Sequence, residues 1–408
     1  MLTAEDNDLV TQVGPGTALG GYMREFWMPA LRSETVKAGG DPVKVRVLGE
    51  DIVVYRGRGG ELASVNEACP HRRASLSLAY NDGDRITCLY HGWKFDTNGR
   101  CVDVPTEPAA KRAAFAARVK VNRHPVAEAG GMVWVYLGDP SDAPPVPDFE
   151  FNLLPADHVK VMIGHSPVNW LQCLEGLVDT VHVGQLHQAW LPDTTSQLGD
   201  VGVESAPSIV VEEAPYGLRC CADRPKPDGD HYVRITEYIA PFWSFIPHGP
   251  KEDRVSMGIV PIDDNNTHQF YIWYNPHEPL KDGTDLAGVF ELLLRTPDDF
   301  NSSMRGKPKW GQDRKALGGN HFTGISNLVH EDMAVQESQG RIMDRTREHL
   351  GSSDLFVTRT RRFLMKAART HQAAGEAPCA PGKTSLRDIR AMAVDIGPDD
   401  DWHDVKPS

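Results

Sequence analysis

Cysteine is scarce in this chain: seven residues in 408, and an odd number. That count does not suit a disulfide framework and fits a reducing compartment, where the thiols stay free. No apolar run approaches the roughly 20 residues that cross a bilayer. The opening segment, MLTAEDNDLV, is acidic and lacks the basic start and apolar stretch of a secretory signal. The expectation is a cytoplasmic protein. Positive charge is also short. The net charge of −13 argues against generic nucleic-acid binding, which needs a basic surface. There is no Walker-type loop, no convincing dinucleotide fingerprint and no plant-type C-x4-C-x2-C. GRGG at 57–60 sits between strand-like segments and reads as a hairpin turn.

The charge is uneven. Residues 69–123 hold ten Lys/Arg against five Asp/Glu, a local excess of five positive charges in an acidic chain. This stretch is either a mixed solvated surface or a docking face for an acidic partner.

Two regions differ in pattern. Apolar and polar residues alternate through 43–66, and VKVNRH at 119–124 and MVWVYLG at 132–138 continue in the same way, so the first third is expected to be mostly β. The Pro-rich DPSDAPPVPDFE at 139–150 marks a linker, dividing the chain into 1–145 and 146–408. Beyond it, 168–190 is helix-like. Strands are expected at 208–214, 216–222, 232–240, 254–262 and 269–275, and helices at 285–295 and 353–373, with Ser352, Ser353 and Asp354 as capping candidates. Strands bracketed by helices with hairpin-length connections suggest an antiparallel α+β domain.

Metal-ligand chemistry appears in CPHR at 69–72 and CLYHGWKF at 88–95. Cys69 and His71 are followed, after sixteen residues, by Cys88 and His91. Two Cys and two His can hold tetrahedral zinc. They can also hold a Rieske [2Fe–2S] cluster, which takes two Cys on one iron and two His on the other. Each loop offers one of each type, which suits the second arrangement, and Leu76, Tyr90, Trp93 and Phe95 would shield it. Cys101, Cys173, Cys220, Cys221 and Cys379 are read as small buried hydrophobes.

With PHR and YHGW around the ligands, C-x-H-x16-C-x2-H resembles the Rieske domain of ring-hydroxylating oxygenases. Arg73 stands where many relatives carry Gly. A Rieske domain fills about 110 residues, so most of the chain needs another role.

DTVHVGQLH at 179–187 offers His182 and His187. Five residues on an ideal helix place them about 140° apart. They are either two surface histidines, or they converge because the helix widens or ends there, with Gly184 permitting the distortion. NWLQCLEGLVDTVHVGQLH at 169–187 resembles the iron-binding helix of Rieske oxygenases. The resemblance implies a mononuclear non-haem Fe(II) held by two His and one carboxylate. It places that carboxylate at Asp332 in HEDMAVQESQG, with Glu331 as the competing choice and Glu337 in a supporting role. Asp179, one turn before His182, is expected to accept its ring N–H. In the family the matching aspartate also meets a Rieske histidine, here His91, of a neighbouring subunit, which implies a head-to-tail trimer or a dimer of trimers. Glu175 is assigned no catalytic role.

The resemblance spans nearly the whole chain. DRTREHLGSSD at 344–354 is especially similar to the phthalate and phenoxybenzoate dioxygenase branch. It implies an N-terminal all-β Rieske domain and a C-terminal antiparallel-sheet-and-helix (helix-grip-like) catalytic domain. It also implies a separate reductase or ferredoxin as electron donor, and an aromatic carboxylate as substrate. The expected reaction is cis-dihydroxylation, the alternative O-demethylation of a methoxylated aromatic acid. A non-catalytic Rieske electron carrier and a zinc-stabilised binding protein are the readings of other classes. An anionic substrate needs an arginine. Arg219 and Arg234, inside strand-like segments, are preferred to Arg224. YIAPFWSFIP at 238–247 is either a pocket wall or sheet core.

Overall fold

The structure is a computed structural model that describes residues 1–191, 201–202, 204–249, 253–281, 300–301, 306–317 and 321–405. Helices α1 (Ala4–Thr11) and α2 (Ala18–Arg24) lead into strand β1 (Trp27–Arg32). A four-stranded antiparallel sheet follows, made of β2 (Val43–Val47), β3 (Glu50–Arg56), β4 (Leu62–Asn66) and the short β9 (Arg123–His124). A second four-stranded sheet is inserted before β9: β5 (Tyr80–Asn81), β6 (Arg85–Thr87), β7 (Lys94–Asp96) and β8 (Cys101–Asp103), with α3 (Ala109–Ala116) after it. The two sheets share a core of Val53, Tyr55, Val65, Leu76, Ile86 and Phe95, in which Cys69, Cys88 and Cys101 are also buried. GRGG at 57–60 is the β3–β4 turn.

β10 (Val126–Ala129) and β11 (Met132–Tyr136) then form a three-stranded sheet with β1. It leans on the larger half of the molecule, where Trp134 stacks on Trp243 with ring centroids 5.8 Å apart. After the short α4 (Glu150–Leu153) come β12 (Val159–Ser166), α5 (Trp170–Val178) and α6 (His182–Leu186). The main strands are β13 (Ser208–Ala214), β14 (Gly217–Pro225), β15 (His231–Ile239), β16 (Trp243–Ile246), β17 (Arg254–Asp263) and β18 (Asn266–Tyr274). With β12, β19 (Phe300–Asn301) and β20 (Met392–Ile396) they make a nine-stranded sheet among the described residues. It is antiparallel except where β19 runs parallel to β12. The second edge of β15 is divided between β20, against His231–Ile235, and β16, against Glu237–Ile239.

Helix α5 packs against this sheet, with α7 (Leu328–Ser338) and α8 (Leu355–Ala374) packed on it, and α8 also lies on β13 and β14. Asn169, fully buried, fixes the entry to α5. Its Oδ1 accepts from Leu171 N–H, and its Nδ2 donates to the carbonyls of Thr11 and Asp264, both at 2.8 Å. Gln172 ties α5 to the end of α7 by donating to the carbonyls of Gln336 and Gly340, both at 3.0 Å.

Several elements depart from the sequence pattern. The helical region 168–190 is two helices separated by residues 179–181. The helix expected at 353–373 begins at Leu355, after a 3-10 turn. Asp354 stands at its N-cap, but the carboxylate turns back to Gly351 N–H instead of capping the helix. VKVNRH contributes only Arg123–His124 to a strand. The helix expected at 285–295 lies outside the described residues. Among the described residues no helix is long and apolar enough to cross a membrane.

Candidate metal centres and the cavity between sheet and helices

The first ligand set rests on a turn used twice. Arg73 N–H donates to Cys69 O and Gly92 N–H donates to Cys88 O, both at 2.9 Å. Each turn needs a left-handed residue four positions after its cysteine, and Arg73 (φ 61°) and Gly92 (φ 70°) supply it. This conformation costs an L-residue about 1–2 kcal/mol, so glycine is the easier occupant and Arg73 is held there under strain. At Gly92 a Cβ would meet Pro105 Cγ at 2.9 Å. The turns bury both thiols and bring His71 and His91 together, ring centroids 4.5 Å apart. His71 also stacks on Trp93 at 4.3 Å.

Tetrahedral zinc would draw all four donors within about 4 Å of one another. No set including these four is so gathered among the described residues. Thiol lies beside thiol and ring beside ring, the pairing that a cluster with cysteines on one iron and histidines on the other requires. Nδ1 of His91 is buried and has no hydrogen-bond partner, as a nitrogen reserved for a metal would be. Burial pushes the Cys69 thiol up to about 11, so loading a metal must displace its proton. Leu76, Trp93 and Phe95 are buried around the thiols, but Tyr90 is 54 % exposed and Leu89 67 %. These two form an apolar rim, and Arg72 lies 5.4 Å above the Tyr90 ring.

The second set forms because α5 stops at Val178. Asp179 is extended (φ −87°, ψ 94°), and α6 lasts five residues before His187 leaves helical geometry. The helix therefore ends instead of widening, and the histidine rings converge to 5.1 Å. Gly184 serves close packing: a Cβ there would lie 3.2 Å from Val201 O. Asp332, on α7, places Oδ1 3.3 Å from His187 Nε2 and 3.6 Å from His182 Nε2. The donors of His182, His187 and Asp332 all lie within 4.8 Å of one another, the one such group among the described residues.

The outer nitrogens are engaged elsewhere. His182 Nδ1 meets the main-chain carbonyl of Asp179. The Asp179 carboxylate, expected to take that ring nitrogen, instead accepts from Val181 N–H at 3.0 Å and His182 N–H at 3.4 Å. His187 Nδ1 lies 2.7 Å from Glu331 Oε2. Consecutive residues on a helix point about 100° apart, so Glu331 and Asp332 reach opposite nitrogens of one ring. Burial pulls His187 down, and the charges and hydrogen bonds of Asp332 and Glu331 outweigh it, raising it to about 9. Burial pushes Asp332 up, and the two histidines more than reverse this, leaving it below its ordinary value. Two ring nitrogens and one carboxylate oxygen fit mononuclear iron.

Glu175 is taken up by arginines instead of that set. Arg345 holds both its oxygens, and Arg361 bridges it to Glu348. Burial pushes Glu175 up, but the two arginines prevail and keep it below the usual carboxylate range.

A cavity opens between these helices and the sheet. Leu177, Val183 and Leu328 line the helix side; Arg234, Met257 and Gln269 line the sheet side. His182, His187 and Asp332 also line it. The candidate arginines separate by strand parity. Arg219 pairs across strands with Glu237, and Arg234 with Ala222, so they occupy opposite faces. Arg219 thus leaves the cavity. It lies 3.0 Å from Glu237 Oε1, out of line for a hydrogen bond, and 5.4 Å over the Trp402 ring. Arg224 shares the face of Arg234 but does not line the cavity; it is buried and donates to Thr180 O at 3.3 Å. Arg234 lines the cavity, 3 % exposed; among the described residues its Nε is unpartnered and its one hydrogen bond is a long 3.5 Å contact to Tyr232 OH. Of YIAPFWSFIP, Ile246 and Pro247 reach the cavity, while Trp243 and Phe245 pack in the sheet core.

Comparison with known proteins agrees with this geometry. Residues 26–122 match the Rieske [2Fe-2S] domain family, and residues 135–407 match the family described as LigXa C-terminal domain like. The chain is 35% identical over 398 residues to the 3-chlorobenzoate-3,4-dioxygenase oxygenase subunit of Comamonas testosteroni, covering 93% of this chain and 91% of that one. It is 34% identical to the phthalate 4,5-dioxygenase oxygenase subunit of Pseudomonas putida, covering 100% and 95%. Identity is 30% to the 5,5'-dehydrodivanillate O-demethylase oxygenase subunit of Sphingobium sp. (strain NBRC 103272 / SYK-6), covering 90% and 80%. The crystal structure of dicamba monooxygenase bound to dicamba shares the fold, with a TM-score of 0.61 at 21% identity, over 86% of this chain and 99% of that one.

Proposed function

The chain belongs to the Rieske non-haem iron oxygenases, as an oxygenase component, and from that premise we propose that it hydroxylates an aromatic carboxylate. The observation that carries the substrate is Arg234. A buried guanidinium without a carboxylate partner among the described residues is costly. It is retained beside the metal-facing histidines because an anionic substrate completes it, through two parallel charge-assisted hydrogen bonds.

Cys69, Cys88, His71 and His91 hold the [2Fe–2S] cluster, and His182, His187 and Asp332 hold Fe(II). When bound, these groups supply electron delivery and O2 activation. The chain's own residues do the rest. Arg234 fixes the carboxylate end of the substrate. Leu177, Val183, Leu328 and Met257 enclose the ring and exclude water. The distance from Arg234 to the histidines selects which carbon is presented. Asp179, beside His182 and with Oδ2 taking no hydrogen bond among the described residues, is placed to meet His91 of a neighbouring copy in a homotrimer or a dimer of trimers. Electrons come from a separate reductase or ferredoxin, for which Arg72, Arg73 and the apolar rim form the docking face. For this chemistry we divide the chain near residue 145, Rieske half before and iron half after.

The test is a single turnover. The purified protein is reduced chemically and given O2 with aromatic carboxylates, with and without methoxy groups, and products are identified by mass. A cis-diol carrying both oxygen atoms is expected. Formaldehyde plus a phenol makes the reaction an O-demethylation. No product with any acid, with both metal sites filled, removes the aromatic-acid reading. Arg234→Met is expected to weaken binding of the acid about 100-fold and to leave a neutral analogue unaffected.

A further inference from the structure

We propose that Glu331 is a positioning residue, which sets the tautomer and direction of His187 and with them the metal affinity of the second site. The inference rests on the reading that His182, His187 and Asp332 hold the metal.

Glu331 is fully buried, in contact with no solvent. A carboxylate in that position needs every lone pair answered. Three donors from three segments answer it. Oε2 accepts from His187 Nδ1 at 2.7 Å and from Trp190 Nε1 at 3.1 Å, and Oε1 accepts from the Thr323 hydroxyl. Trp190 Nε1 is a fixed donor, since Trp has no acceptor nitrogen, while the Thr323 hydroxyl accepts from Ile325 N–H at 3.1 Å and has its own proton for Oε1. The carboxylate is thus held in one orientation before His187 meets it. Its bond to Nδ1 keeps a proton on that nitrogen, so Nε2, on the side of Asp332, is the nitrogen left for a metal to take.

The two histidines are therefore set by different means. His182 leans on a main-chain carbonyl, which no side-chain substitution removes. His187 leans on a charged group, which makes its imidazole the more basic ligand. Replacing Glu331 should leave His182 unmoved and release His187 alone.

The experiment uses the full-length protein with its cluster in place, the second metal removed by chelation and replaced by titrated Co(II). Affinity is read by equilibrium dialysis, and geometry by the Co(II) EPR signal with the cluster oxidised. Glu331→Ala is expected to weaken Co(II) binding 10- to 100-fold and to alter the signal. Glu331→Gln keeps one acceptor and should lose less. Trp190→Phe removes one brace from the same oxygen without touching His187, and should weaken binding up to about 10-fold. Visible absorption of the cluster should stay unchanged in all three. Wild-type affinity and an unaltered signal in the Glu331 variants, with binding lost in Asp332→Ala, overturn the proposal. If the Glu331 variants do not fold, wild-type binding by Trp190→Phe overturns it instead. Wild-type binding by Asp332→Ala would mean that the ligand reading itself has failed.

Discussion

Arg345 holds Glu175 with two hydrogen bonds of 2.8 Å, one to each carboxylate oxygen, and its own side chain is fully buried. Its Nη1 also reaches Asn7 Oδ1 at 3.3 Å, and its carbonyl accepts from Leu2 N–H at 3.1 Å. The N-terminal segment is thereby fastened to the helix that leads into His182. Removing Arg345 leaves the buried Glu175 to Arg361 alone, which Glu348 also shares. Arg345→Met is expected to cost about 3 kcal/mol, seen as a lower unfolding midpoint. The double variant Glu175→Gln with Arg345→Met should be milder than Arg345→Met alone. A single variant as stable as the parent removes this account.

The cluster rim gives a kinetic prediction. Charge reversal at Arg72 or Arg73 should slow reduction by the electron donor and flatten its salt dependence. Arg73→Gly should do so while stabilising the fold by about 1 kcal/mol, because glycine adopts the left-handed turn freely. Stopped-flow bleaching of the cluster at several ionic strengths measures both effects. Reduction rates and salt slopes equal to the parent's would exclude this docking face.

The two metal centres should separate by mutation. His182→Ala is expected to keep the red-brown colour and accept electrons but form no product. Cys88→Ser should lose the colour. An oxygenation yield unchanged in His182→Ala would remove His182 from the ligand set; a simple electron carrier would form no product in either protein.

Glu237 offers a pH signature. Burial pushes it up to about 7, against the opposing pull of Arg219 and the Tyr216 hydroxyl. A carboxyl raised in the folded state stabilises most when protonated in both states. Its contribution is therefore complete below the unfolded value of about 4.3 and lost as pH rises through about 7, on the order of 3 kcal/mol. Urea unfolding at pH 4 and pH 8 should show this loss in the parent and not in Glu237→Gln. Arg219→Met should lower stability and leave the affinity for an aromatic acid unchanged, since its side chain lies on the far face of the sheet.

The Cys–His pairs and the two converging histidines are legible in the sequence because their geometry is local. A turn that closes in four residues places Cys69 with His71, and Cys88 with His91. The convergence of His182 and His187 needs only a helix end. What could not be read depends on distant contacts. Glu331 lies 144 residues from His187, and in HEDM the family resemblance, not the residues themselves, points to Asp332 over Glu331. Arg219 and Arg234 look alike until strand register puts them on opposite faces. Strand β16 is hidden in YIAPFWSFIP, since a segment buried at nearly every position shows no alternation.

Helices α1 and α2 lie against α8, where Tyr22 donates to Pro378 O at 2.9 Å, and β1 belongs to the sheet that leans on Trp243. Topologically, the cluster-bearing unit is an excursion from a body that both ends of the polypeptide must close. A fragment beginning at residue 135 would bare the α8 surface that Leu19, Tyr22 and Met23 now cover. The larger half therefore cannot mature as an independent parcel. Its assembly waits for segments more than 300 positions apart to meet, the kind of long-range closure that makes folding slow.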